Sequence, residues 1–239
     1  VLSFSDSLLA ALQLLGSLDP VLFSVVLRSL SVSTLACCLG FGLGLALGAW
    51  LALARFAGRV LLLTMLHTAL AVPSVLVGLV VYLLLSRTGP LGGLGWLFSL
   101  KAMVLAQTLL VLPLVASMTR QLLEDAENNH GEQLLSLGAR GGLRGLLLAW
   151  DERYALLTVL ITAFGRAISE VGAVMVVGGN IEGFTRVMTT AIALETSKGD
   201  LPLALALGLV LLAVVLLLHT LLAWLRRWRE RAESARASP

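Results

Sequence analysis

The sequence predicts an all-α, polytopic membrane helical bundle of about five spans, and three observations carry that expectation. Apolar residues make up 58% of the 239 positions and charged ones 13%, where a soluble domain carries about 25% charge. Mean hydropathy is +0.96. The apolar residues also run uninterrupted: Arg28 to Arg55 encloses 26 uncharged residues and Arg59 to Arg87 encloses 27, and roughly 20 suffice to cross a bilayer as a helix. A soluble globular enzyme is excluded. So is disorder, which needs the opposite composition.

Residues 1–20 contain Asp6 and Asp19 but no Arg or Lys, so they do not read as a signal peptide, which starts with a positive region. Leu8, Leu9, Leu12 and Leu15 recur at helical spacing and predict a short helix at the membrane surface. The first span is read over 22–54. Its Ala36, Gly40, Gly44, Gly48 and Ala52 recur every four residues, a ridge of small residues that lets helix backbones approach closely. Cys37 and Cys38 lie inside it and read as small packing residues rather than a bridge or a metal pair.

The second span, 60–86, contains Pro73, which should kink it. The third, 102–119, is the shortest, with 18 uncharged residues between Lys101 and Arg120. The fourth, 154–178, is interrupted by Arg166 and Glu170, and the fifth, 201–225, carries His219 as its titratable group, read as a polar group near the interface. All five belong to one transmembrane domain over 1–239.

Orientation follows from arginine and lysine, which accumulate in cytoplasmic connections. One face collects Arg55, Arg59, Arg120, Arg140, Arg144, Arg153 and the run Arg226, Arg227, Arg229, Arg231 and Arg236. The other collects Arg28, Arg87, Lys101, Arg186 and Lys198. The expectation is an N-terminus outside and a C-terminus in the cytoplasm, with the final arginines and Trp224 and Trp228 as an interfacial anchor. No basic face alternates with aromatics, so no nucleic acid is expected as a partner.

Chemistry is first defined by what is missing. A phosphate-binding loop needs G-x-x-x-x-G-K-[ST], and neither Lys101 nor Lys198 ends such a run. HExxH, CxxC and GxSxG are also missing, so no cofactor, metal or catalytic residue is expected. Any ATP-driven work has to come from a partner.

Two connections are longer than the usual handful of residues. The cytoplasmic one, 120–153, contains Glu132-Gln133-Leu134-Leu135-Ser136-Leu137-Gly138-Ala139. Asn129 stands three residues before Glu132, a capping-box spacing. Leu134, Leu135 and Leu137 give the expected short helix an apolar side, and Gly138 suits a left-handed C-terminal turn. Such a helix either plugs a groove on a partner or lies on its own bundle.

Glu132 followed six positions later by Gly138 resembles the cytoplasmic EAA loop of ABC-importer permease subunits. Gln133 and Leu134 replace that loop's two alanines, and Leu148-Ala149-Trp150-Asp151 stands where the family has Leu-Pro. Further on, Phe164-Gly165-Arg166-Ala167-Ile168-Ser169-Glu170-Val171-Gly172-Ala173 is similar to the fourth span of molybdate and tungstate permeases. Gly178-Gly179-Asn180-Ile181-Glu182-Gly183-Phe184-Thr185-Arg186 comes next, and the stretch from Met188 to Asp200 after it looks most like the tungstate type.

The resemblance implies a type I ABC-importer permease in the plasma (inner) membrane. It implies a coupling helix on Glu132, Leu134, Leu135, Leu137, Gly138 and Ala139 that docks on a cytoplasmic ATPase dimer. It also implies a second permease copy in a homodimer, an external solute-binding protein, and tungstate as cargo carried by alternating access. Molybdate or sulfate is the competing cargo, and an ion-coupled secondary carrier is the competing class.

Arg166 and Glu170 lie four residues apart on one helix face, roughly 18–24 Å along the fourth span. Each alone costs on the order of 2.5–3.5 kcal/mol near the centre of a spanning helix, so such residues face the bundle interior and mark pathways. Either they neutralise each other and hold helices together, or Arg166 offers a foothold to a passing dianion while Glu170 keeps the site from becoming a trap. In the external connection, 179–200, Asn180 follows two glycines that read as an anion-binding nest or as a plain turn. Thr189 and Thr190 read as hydroxyl donors to the oxyanion or as helix-start residues.

Overall fold

A computed structural model describes residues 4–17 and 19–237, with helices and no strands among the described residues. In chain order these are α1 (Phe4–Gly16), α2 (Pro20–Leu53), α3 (Arg59–Ala71), α4 (Ser74–Leu85), a 3-10 turn at Gly92–Leu94, α5 (Leu100–Ser136), α6 (Gly141–Asp151), α7 (Arg153–Ile168), α8 (Gly172–Gly178), α9 (Met188–Lys198) and α10 (Leu201–Ala237).

Among the described residues, three helices are long and apolar enough to cross a membrane: α2, α5 and the Leu201–Leu221 part of α10. Two further crossings arise if each bent pair, α3 with α4 and α7 with α8, forms one span.

The centre of the bundle is the contact between α2 and α5. Asp19 starts α2 by accepting from the Val21 and Leu22 amides at 2.8 and 2.9 Å, with Pro20 where the missing N–H costs nothing. The small-residue ridge then turns inward. A Cβ on Gly44 would lie 2.7 Å from Val115 Cβ, and one on Gly48 would lie 2.6 Å from the Ala116 carbonyl oxygen. The ridge therefore serves packing within the subunit. On the opposite face Phe23, Leu27, Leu35, Leu39 and Leu43 are exposed. Small and hydroxyl residues inside, with large apolar ones outside, is the arrangement lipid favours.

Pro73 produces more than a kink. α3 and α4 diverge by 102°, and at 13 and 12 residues they are about 20 and 18 Å long, each too short for a hydrocarbon layer of about 30 Å. Pro73 cannot donate into the preceding turn, and the chain turns there rather than bending through it. The fourth stretch is also broken, α7 and α8 meeting at 56°.

The region after Arg120 differs from the reading of a polar connection holding a new short helix. α5 continues unbroken to Ser136, so 37 residues make a rod of about 55 Å. Asn129 and Glu132 lie exposed inside it, and the capping box does not form. An Arg120–Glu124 pair one turn apart supports the continuation. Arg59 also pairs with Glu124 and donates to the Leu51 carbonyl through Nε and Nη2 at 3.2 and 3.1 Å. One carboxylate thus ties the end of α2 and the start of α3 to α5. Arg144 Nη1 lies 3.2 Å from Glu127 and fixes α6 to the same rod.

α1 packs Ala11 and Leu14 into a cluster shared with α10 and leaves Leu9 and Leu12 exposed. Cys37 is buried in the core and Cys38 is exposed, both as free thiols. His219 is exposed, its Nδ1 2.9 Å from the Val215 carbonyl oxygen. The side chains of Arg226, Trp228, Arg229, Arg231 and Arg236 lie outside the described residues.

Candidate functional site

The two broken elements meet at their breaks. A Cβ on Gly78 of α4 would lie 2.7 Å from Ala173 Cα, and one on Gly172 would lie 2.6 Å from Val75 Cγ2. The first turns of α4 and α8 are therefore in backbone contact. Unwound backbone at membrane depth has to find partners within the protein, and here side chains from α5 and α9 supply them.

Glu170 is the hub of this junction. It is 3% exposed, whereas the Arg166 side chain is 42% exposed. Glu170 Oε2 accepts from Arg166 Nη1 at 2.6 Å, and Oε1 accepts from the Ala173 amide at 3.1 Å, capping α8. The Ser74 side chain lies beside the same carboxylate. Thr189 Oγ1 donates to the Glu170 carbonyl at 2.7 Å. From α5, Gln107 Nε2 donates to the Ala167 carbonyl at 2.9 Å, while Gln107 Oε1 is buried without a partner. Each carboxylate oxygen thus has a donor, one the Arg166 cation and one the Ala173 amide, the condition for burying it tolerably. Arg166 spends one nitrogen on it and keeps accessible surface.

The other expected residues divide. Thr189 joins the junction through Glu170. Thr190 starts α9, its Oγ1 accepting from the Val187 amide and donating to the Val187 carbonyl, each at 3.1 Å. Asn180 has φ +50° and donates from Nδ2 to the Thr190 carbonyl at 3.3 Å. The glycine turn is not an open nest. The Gly179 amide closes α8 on Met175 at 3.0 Å, and the Ile181 amide donates to Thr185 Oγ1 at 2.9 Å. The residues read as an external connection thus fold inward as α9, with Met188, Thr189 and Thr190 buried.

Far along α5 lies a second feature. The helix ends in a Schellman turn: Gly138 has φ +84°, its amide donates to Leu135, and the Ala139 amide donates to Leu134, at 3.0 and 2.9 Å. Leu134 packs inward with Leu123 and Leu148 and Ala139 is buried, but Leu135 is exposed and Leu137 is 81% exposed. Glu132 is exposed beside them. Leu135 and Leu137 thus stand out beside Glu132 as an exposed knob, seated on Leu134, Gly138 and Ala139. The break and the knob share α5.

Sequence reasoning missed Ser74 and Gln107. A glutamine inside an otherwise apolar span was the available signal for the second. Ser74 follows Pro73 and is marked by nothing local.

Broken spans meeting around buried polar groups, inside a bundle with an apolar exterior, define a multi-pass membrane transport protein. No protein-family model matches the chain, but individual relatives do. It is 43% identical over 209 residues to the tungstate uptake system permease protein of Peptoclostridium acidaminophilum, covering 86% of this chain and 90% of the relative. It is 40% identical over 223 residues to a probable anion ABC transporter permease protein of Haloferax volcanii, covering 91% and 95%. The molybdenum transport system permease protein of Escherichia coli K12 is 29% identical over 221 residues, covering 88% and 96%. The chain belongs to the ABC-importer permease family that includes these tungstate-uptake and anion permeases.

Proposed function

We propose that this chain is the membrane permease subunit of an ATP-driven importer of a tetrahedral oxyanion, tungstate first, with molybdate or sulfate as the competing cargo. A 43% identical relative is a tungstate uptake permease, which supports the cargo. The observation that carries the mechanism is the continuity of α5, whose distal end forms the leucine knob and whose proximal half bonds to the α7–α8 break.

In this reading the knob of Glu132, Leu134, Leu135, Leu137, Gly138 and Ala139 docks on a cytoplasmic ATPase dimer, which supplies the hydrolysis. Exposed leucines suit a partner groove. ATP-driven closure of that dimer pulls on α5. The α2 ridge and the Glu124 pairs make α2, α3 and α5 move together, and Gln107 passes the displacement to the break. The spans then alternate between outward- and inward-open arrangements in a homodimer of two such permeases, with an external solute-binding protein delivering the anion. The N-terminus lies outside and the C-terminus in the cytoplasm, as the arginine distribution supports.

At the break, the saturated Glu170 is the structural member of its pair and Arg166 is the foothold. Its exposed guanidinium has donors left over and matches an oxyanion in charge. Asn180, Thr189 and Thr190 hold the backbone around it. Their hydrogen bonds go to other protein groups, so their contribution is to position rather than to ligate.

Uptake in proteoliposomes tests the proposal. With the cognate ATPase and binding protein, tungstate should enter only when ATP is hydrolysed. Uptake by the chain alone, driven by a proton or sodium gradient, would refute it.

A further inference from the structure

Between α2 and α6 runs an open groove of about 590 Å³ that the transport reading does not use. Its walls are apolar, lined along α2 from Gly42 to Ala54 and along α6 from Gly141 to Ala149, and Arg144 is the one charged residue among them. We propose that this groove holds one acyl chain of an anionic phospholipid, whose phosphate rests among Arg55, Arg140 and Arg144.

Depth is the first argument. Gly42 to Leu53 covers eleven helical steps, about 17 Å, against a single-leaflet hydrocarbon depth of about 15 Å. The groove therefore spans the distance one tail occupies, from the interface to the bilayer midplane.

Charge is the second. Arg55 directly follows Ala54 and Arg140 directly precedes Gly141, so each borders a lining residue of the groove. Both are exposed and neither forms an ion pair among the described residues. Arg144 binds Glu127 through Nη1, while its Nε is buried without an acceptor. Close to Arg55 in the chain, Trp50 lines the groove and stacks on Phe56 at 5.0 Å, as aromatic residues do at headgroup level. An apolar trough under a cationic rim complements an anionic amphiphile. A helix from a second copy would have to bring acidic groups to the same place.

Gly42 supplies the third. Gly40, Gly44 and Gly48 are needed for the close approach of α5, but a Cβ on Gly42 would meet nothing within 4 Å. Glycine weakens a helix, and nothing within this chain accounts for it here. A chain lying against the backbone does.

Native mass spectrometry tests this on the full chain purified with its associated subunits, delipidated, then titrated with phosphatidylglycerol or phosphatidylcholine. One phosphatidylglycerol per permease should be retained, with a preference over phosphatidylcholine of roughly tenfold or more from the rim arginines. Gly42→Phe should abolish retention of both lipids. Arg55→Gln with Arg140→Gln should erase the preference and leave the groove intact. Leu43→Phe, on an exposed position outside the groove lining, should change nothing. Equal retention of the two lipids overturns the proposal, as does retention surviving Gly42→Phe. So does rapid disulfide cross-linking of Gly42→Cys between two copies, which would seat a second chain there. The readout is lipid mass, so it stands or falls separately from cargo and coupling.

Discussion

Gln107 on α5 donates its Nε2–H to the Ala167 carbonyl at 2.9 Å, joining the rod that ends in the leucine knob to the residue that closes the last turn of α7. Its Oε1 is buried and unpartnered, so the side chain gains one bond while leaving an acceptor desolvated. A net hydrogen bond contributes about 0.5–1.5 kcal/mol and an unsatisfied buried group costs about 1–3 kcal/mol. The amide is therefore no asset to stability.

Gln107→Leu should accordingly leave thermal stability within about 1 kcal/mol of the parent chain while loosening the link from rod to break. Transport per ATP hydrolysed should fall. A variant with unchanged stoichiometry would remove Gln107 from the linkage.

The unequal burial of Arg166 and Glu170 makes their substitutions separable. Glu170→Ala uncaps α8, a loss of about 0.5–2 kcal/mol, and leaves Arg166, whose side chain is already 42% exposed, without its carboxylate. Loss of folded yield in detergent should follow. Arg166→Ala leaves the buried carboxylate without its cation, which costs about 3–5 kcal/mol. The informative variant is therefore Arg166→Lys, which keeps the charge and loses the guanidinium fork; its assembly should be affected less than its uptake. Full uptake by the Arg166 variant places it off the pathway.

The α2 ridge divides by register. Gly48→Leu would drive a side chain into the Ala116 carbonyl and Thr119, and overpacking of this kind costs about 1–3 kcal/mol or more. Gly42→Ala enters open space and should raise helix stability by up to about 1 kcal/mol. Thermal unfolding of the two variants, compared in one detergent, gives the contrast; equal melting would contradict the packing.

Gly138→Val forces a β-branched residue to φ +84°, where a left-handed backbone costs roughly 1–2 kcal/mol. The knob should distort while the bundle, held elsewhere, remains folded. ATPase activity of the complex should persist without transport. Normal coupling would remove the knob from its assigned role.

Arg140→Cys places a thiol at an exposed position beside the knob. A membrane-impermeant maleimide should label it in inverted vesicles and not in intact cells. The reverse pattern overturns the orientation.

In a membrane chain the lipid-facing and protein-facing sides are both apolar, so periodicity says little about which face packs. Phe23 and Leu43 on the outside of α2 look no different in sequence from core residues. What the amino-acid order determined is what depends on near neighbours: the apolar stretches, the sign and placement of the arginines, the small-residue ridge and the left-handed turn at Gly138. The tertiary structure alone decided that Pro73 turns the chain through 102°, that α5 runs on past Arg120, and that Ser74, Gln107 and Thr189 converge on one break. Those contacts satisfy backbone and carboxylate groups exposed by the breaks. Which distant side chain reaches such a group depends on how the whole bundle closes, and no local pattern carries that information.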